Sequence, residues 1–236
     1  MKNLLTFLLL ALVLSSCSDE SSEDSGDFKP AITTLNLTAK VPTSLQSKSP
    51  VTWEQISTME AYMNMGGMFM NQSNTKKTAK SLTSKVSLSA SNYTWSVGDY
   101  VVDYSYKLVG EKYEYTYVIT LKGDTYATIN GWQNTNGTAG HWTYDINLSV
   151  VGVPSTSNFN IDFDWTKNNV GNYNFNMVFN MGDYGTMRYV SNINNDLSGD
   201  FNFYIDNELI YGSLWNSSGS GRFTDYFTDP PTITTW

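Results

Sequence analysis

From about Val86 to Phe227 the chain alternates between apolar and polar residues, and this period of two constrains its fold more than any other feature. Tyr113, Tyr115, Tyr117, Ile119 and Leu121 are interleaved with Glu114, Thr116, Val118 and Thr120. Trp142, Tyr144, Ile146, Leu148 and Val150 are interleaved in the same way with Thr143, Asp145, Asn147 and Ser149. The pattern returns in Phe159 to Trp165 and in Tyr173 to Met181. Successive side chains of a strand point to opposite faces, so each segment is a strand with one apolar and one polar face. A parallel sheet buried on both sides would need continuous apolar runs, so the expectation is an antiparallel sheet with one face in water.

A short phrase recurs where strands begin. It reads Gly140-His141-Trp142-Thr143-Tyr144, Gly171-Asn172-Tyr173-Asn174-Phe175, Gly199-Asp200-Phe201-Asn202-Phe203 and Gly221-Arg222-Phe223-Thr224-Asp225, with Gly110 to Tyr115 a version carrying one inserted residue. The glycine is expected to supply a positive φ in the turn, and the aromatics at alternate positions share one face. Intervals of about 30 residues hold about two strands each. The expected fold is all-β: an up-and-down antiparallel meander of about ten strands, curled into a barrel or half-barrel with the aromatics on its concave face.

Ahead of the β domain, Trp53, Ile56, Met59 and Met63 recur at helical spacing, widened by Tyr62 and Met65. Thr52 and Gln55 are placed as a capping box. One amphipathic helix over 51–70 is expected, packed on or across the sheet and ended by Gly66-Gly67. Residues 17–50 read as a flexible tether, with a short strand possible at Ile32 to Leu37. Residues 71–85 read as a polar linker, and 86–236 as the antiparallel domain with an irregular C-terminal tail after Pro230-Pro231.

The first 16 residues form a charged start at Lys2 and an apolar run from Leu4 to Leu14, a signal peptide too short to span a membrane. Leu14-Ser15-Ser16-Cys17 resembles the lipobox of bacterial lipoproteins, which implies cleavage before Cys17 and a lipid on its sulfur. Ser18-Asp19-Glu20-Ser21-Ser22-Glu23-Asp24 resembles the acidic export signal of Bacteroidota surface lipoproteins. The two resemblances imply a membrane partner reached through the Cys17 lipid, at the outer membrane and facing the cell exterior. Cys17 is the lone cysteine, so no intramolecular disulfide can form. A formal net charge of −8 makes nucleic acid a poor partner. No protein partner is legible.

Chemistry-bearing motifs are scarce. His141 is the single histidine and alternates onto the polar face, no nucleophile elbow is present, and no catalytic residue or cofactor is assigned. Asp162 and Asp164 share a face and are a weak candidate for a calcium site. The concave aromatics offer two readings: a filled core, or a cleft for a lipid-like or amphipathic ligand lined by Tyr104, Tyr106, Tyr115, Tyr117, Trp142, Tyr144, Phe163, Tyr173 and Phe175. The general plan of the cleft is similar to lipocalin-type barrels, although no motif of that family is present. In the alternative, Trp132, Trp165 and Trp215, each near a turn, form an exposed row that stacks on sugar rings. The functional expectation is a noncatalytic binding module, with a glycan binder or a structural lipoprotein as alternatives.

Overall fold

A computed structural model describes residues 36–63, 78–79, 90–152 and 159–236. The signal peptide, Cys17, the acidic stretch, Gly66-Gly67 and most of the 71–85 linker lie outside these residues. Thirteen strands follow one another in space in chain order: β1 (Thr78–Ala79), β2 (Ala90–Val97), β3 (Tyr100–Val109), β4 (Lys112–Leu121), β5 (Asp124–Asn134), β6 (Ala139–Ile146), β7 (Phe159–Lys167), β8 (Tyr173–Asn180), β9 (Thr186–Ile193), β10 (Gly199–Ile205), β11 (Glu208–Trp215), β12 (Gly221–Asp225) and β13 (Thr232–Thr235). Neighbours pair antiparallel, as in β3 against β4 and β7 against β8. The first and last strands do not pair with each other, so the meander is open rather than a closed barrel.

The curl follows from burial. Thirteen strands about 4.8 Å apart would make a flat sheet roughly 60 Å wide, and the single long helix of 14 residues is only about 21 Å long. Yet Trp95, Tyr104, Tyr117, Tyr144, Phe163, Phe175 and Phe201 from strands across the sheet are all nearly inaccessible. One helix cannot shield so wide a face, so the sheet wraps around it.

Two devices set the register. Lys122-Gly123 and Asp206-Asn207 are two-residue turns with positive φ at both positions, the geometry that matches strand twist. The repeated glycines act otherwise than expected. Gly110 and Gly171 do have positive φ. Gly140 and Gly199 instead lie within strands, directly opposite Trp165 and Trp215. A Cβ on Gly140 would collide with the Trp165 indole, and one on Gly199 would stand 2.7 Å from Trp215 Cζ2. The glycine is needed because an indole lies over the strand, not because the chain turns there.

The C-terminal tail is also more regular than expected. β13 pairs with β12, and Trp236 closes the ladder by exchanging backbone hydrogen bonds with Gly221 and donating from Nε1 to the Gly219 carbonyl at 2.7 Å. Pro230-Pro231 falls in the loop before β13, where no ladder donor is required.

At the other terminus the tether ends sooner than residue 50. Leu37, Val41 and Leu45 are buried, carried on a 3-10 turn (Thr38–Lys40) and a short helix α1 (Leu45–Lys48). Lys48 Nζ and Ser44 Oγ donate to the Ser218 carbonyl in the β11–β12 loop, at 3.3 and 2.8 Å. Three apolar side chains spaced four apart were enough to dock this segment despite its polar composition.

Helix α2 (Pro50–Met63) buries Ile56, Met59 and Met63, the stripe that helical spacing marks out. Its start differs from the expected capping box. Proline stands in the first turn, where its missing N–H costs nothing, and the Ser49 carbonyl accepts from Trp53 N. Thr52 is inside the helix. Its hydroxyl joins Ser49 Oγ and Ser213 Oγ of β11, each at 2.8 Å. Gln55 Oε1 is buried with no hydrogen-bond partner among the described residues, so it does not reach back to the helix start. At the far end Tyr62 meets Phe179 edge to face, with ring centroids 4.9 Å apart.

Candidate functional site

The inner face is filled. Of the nine residues expected to line a cleft, Tyr104, Tyr115, Tyr117, Trp142, Tyr144, Phe163 and Phe175 are buried, and only Tyr106 and Tyr173 at the rim keep partial exposure. They stack on one another. Tyr104 lies on Tyr117 at 4.5 Å, Tyr115 on Trp142 at 5.2 Å and Tyr173 on Phe175 at 5.7 Å. A cavity large enough for a ligand would leave its lining rings accessible surface, and Tyr117 has 0%. Burial pushes the Tyr115 and Tyr117 hydroxyls above the ordinary phenol range, and that of Tyr189 up to about 12, so all three are neutral phenols.

The expected tryptophan row is also corrected. Trp165 and Trp215 are each 2% exposed, and Trp215 Nε1 donates to the Leu197 carbonyl at 2.9 Å. An indole covered on both faces has none to offer a sugar. Trp132 differs because it alternates onto the outer face.

There the structure places a hollow that composition alone did not suggest. An open groove of about 440 Å³ runs across the polar side of β2 to β6. Cross-strand register builds it from two parallel rows. Ser105, Thr116, Asn130 and Thr143 stand side by side on β3 to β6, and Lys107, Glu114, Trp132 and His141 stand beside them two residues along. Beneath the groove a glycine stands on the inner face. Gly131 sits between Tyr115 and Trp142, and a Cβ there would be 2.5 Å from Trp142 Cε3. With only hydrogen at 131, β5 lies close against the indole, directly beneath Asn130 and Trp132.

The groove is polar and internally matched. Lys107 Nζ is 2.8 Å from Glu114 Oε2. Lys112 Nζ lies 3.8 Å from the Trp132 ring centroid, a cation–π contact on a residue outside the groove lining. Thr116 donates to Asn130 Oδ1 at 3.0 Å.

At the edge of the groove, His141 Nδ1 is 2.7 Å from Asp164 Oδ1 and Nε2 is 3.1 Å from Thr143 Oγ1. Carboxylate, imidazole and hydroxyl in that order resemble a nucleophilic triad, but two features oppose such a role. The Thr143 hydroxyl donates onward to Asp162 Oδ1 at 2.9 Å, away from the imidazole. The backbone N–H groups of β6 face β5 and β7 in regular ladders, which does not provide the paired free donors of an oxyanion hole. Asp162 and Asp164 therefore serve this network. Among the described residues no three His, Cys, Asp or Glu side chains gather as metal ligands, so Asp162 and Asp164 have no third carboxylate beside them.

No family model matches the chain, and no curated protein or solved structure matches it. Of the groove residues, sequence reasoning singled out Trp132, His141 and, as ligand candidates, Tyr106 and Tyr115, whose rings lie on the inner face. The Lys107–Glu114 pair was readable, because Gly110-Glu111 between two alternating segments sets that register. The row Ser105 to Thr143 was not, since it needs the β4–β5 bulge at Ile119/Thr120 to bring Asn130 opposite Thr116.

Proposed function

We propose that the protein is a cell-envelope lipoprotein, anchored in the outer membrane through Cys17 and facing the exterior, whose β domain is a noncatalytic glycan-binding module. The groove at Trp132 carries this reading. It joins one half-buried indole to two rows of hydroxyl and amide groups on a rigid sheet, and sugar rings present C–H faces and hydroxyls to match. The filled inner face favours this over an amphipathic ligand between the sheet and α2. Among the described residues no helix is long and apolar enough to cross a membrane.

Two measurements test the proposal. Electrophoresis of the detergent-purified full chain through gels containing soluble polysaccharides should show retardation that Trp132→Ala removes. Unretarded migration in every gel sinks the glycan reading. Cell fractionation should move Cys17→Ser from the membrane to the soluble fraction, and an unchanged distribution sinks the anchor.

A further inference from the structure

We infer that the groove takes a neutral pyranose chain lying across the strands, and that it excludes uronates and sulfated glycans. This rests on the glycan reading above and adds the substrate class. The charged side chains lining the groove, Lys107 and Glu114, are matched at 2.8 Å, and the His141 imidazole is hydrogen-bonded to Asp164 at 2.7 Å. Lys112, the next cation along β4, rests on the Trp132 ring. The acids Asp162 and Asp164 border the groove, on a chain of net charge −8. An anionic sugar would therefore meet no unspent cation there and would be repelled by the surrounding field. What remains for recognition is neutral. Asn130, Ser105, Thr116 and Thr143 supply donors and acceptors suited to hydroxyls, and Trp132 supplies an apolar platform.

The direction of the chain follows from the register. The two rows advance one residue per strand from β3 to β6, about 4.8 Å at each step and roughly 14 Å in all. A linear glycan laid across the strands meets a fresh pair of polar groups at each strand. One laid along a strand would run off the rows after two residues. Affinity should therefore climb with oligosaccharide length until the four strands are spanned, and then level off.

The test uses the full chain in detergent. The probes are neutral polysaccharides (a mixed-linkage β-glucan, a galactomannan and a xylan), polygalacturonate and alginate as uronates, and heparin as the sulfated polymer. Oligosaccharides of one to six units follow for whichever neutral polymer binds. The expected result is retardation by at least one neutral polymer and by none of the anionic ones, with affinity rising at least tenfold from monomer to tetramer. Trp132→Ala should remove it, and Trp132→Phe should restore part of it. Glu114→Gln frees Lys107 and should admit polygalacturonate. Equal or better binding of a uronate or heparin that depends on Trp132 overturns the neutral class while the glycan reading survives. Retardation by no polymer overturns both. Affinity that is flat with length overturns the cross-strand direction.

Discussion

The two faces of one sheet have solved different problems with the same strands. On the inner face Tyr115, Trp142 and Phe163 stand on successive or neighbouring strands and are packed until almost no surface is left. On the outer face Glu114, His141 and Asp164, their sequence neighbours, stay in water and hydrogen bond across the strands. Aromatic richness turned out to mark the core, and the hollow formed where the face is polar. The contrast teaches that large rings in a curled sheet fill the space they face, while the open space lies among the short polar side chains of the other face. Gly131 touches both faces, since its strand lies against the Trp142 indole on one side and lines the groove on the other.

The comparison can be broken most forcefully from inside. Trp165→Ala should cost about 3–5 kcal/mol by chemical denaturation, because it empties a site closed over Gly140. A loss below about 1 kcal/mol would mean that the inner face is not the close-packed layer described. Gly199→Val comes next, at about 1–3 kcal/mol, since a Cβ there would meet the Asn192 carbonyl oxygen of β9 at 2.4 Å as well as the Trp215 indole at 2.7 Å. Thr52→Val should cost about 1–3 kcal/mol by leaving Ser213 Oγ and Ser49 Oγ without their shared partner. An unchanged midpoint would show that the helix is held by apolar contact alone.

Alkali should act on the inner face in preference to the outer. A phenol whose value in the folded state is raised, as for Tyr189, keeps its full contribution below the ordinary value near 10 and loses it as pH climbs toward about 12. The urea midpoint should therefore be level from pH 8 to 9.5 and fall between about 10 and 12, and Tyr189→Phe should flatten part of that fall. A midpoint that rises over this range contradicts the burial of these hydroxyls. The smallest effect belongs outside. Trp132→Ala should change stability by about 1 kcal/mol or less, since it loses chiefly the contact with Lys112. Its loss of polysaccharide retardation with stability nearly intact is the sharpest separation of the two faces.

Much of this was legible in the residues, and for identifiable reasons. Tyr113 to Leu121 alternate with only Val118 apolar on the polar side, and they form one strand; where the alternation of Trp142 to Ile146 ran on through Leu148 and Val150, the chain instead enters a 3-10 turn at Leu148–Val151. Ile56, Met59 and Met63 named the buried stripe of α2 for the same kind of reason. What failed involved contacts distant in sequence. The alternative that set Trp165 and Trp215 in an exposed row failed because each indole is covered over a glycine 25 or 16 residues earlier on a neighbouring strand. Leu37, Val41 and Leu45 looked like tether because polar residues surround them, and part of what docks the segment, the Ser218 carbonyl that accepts from Ser44, lies 174 residues away. The cap at Thr52 was misplaced because Pro50 starts the helix two residues sooner.

By itself the sequence determined the class of the fold, the antiparallel pairing and which side of each strand is apolar. These follow from covalent alternation and turn chemistry, which act between near neighbours. The tertiary structure alone decided that the inner face is full, that the sheet stays open, and that a groove lies outside at Trp132. Those outcomes depend on how thirteen strands twist, where β5 bulges and how closely one backbone approaches an indole. They are sums of small packing choices across the whole sheet, and no short stretch of chain contains them.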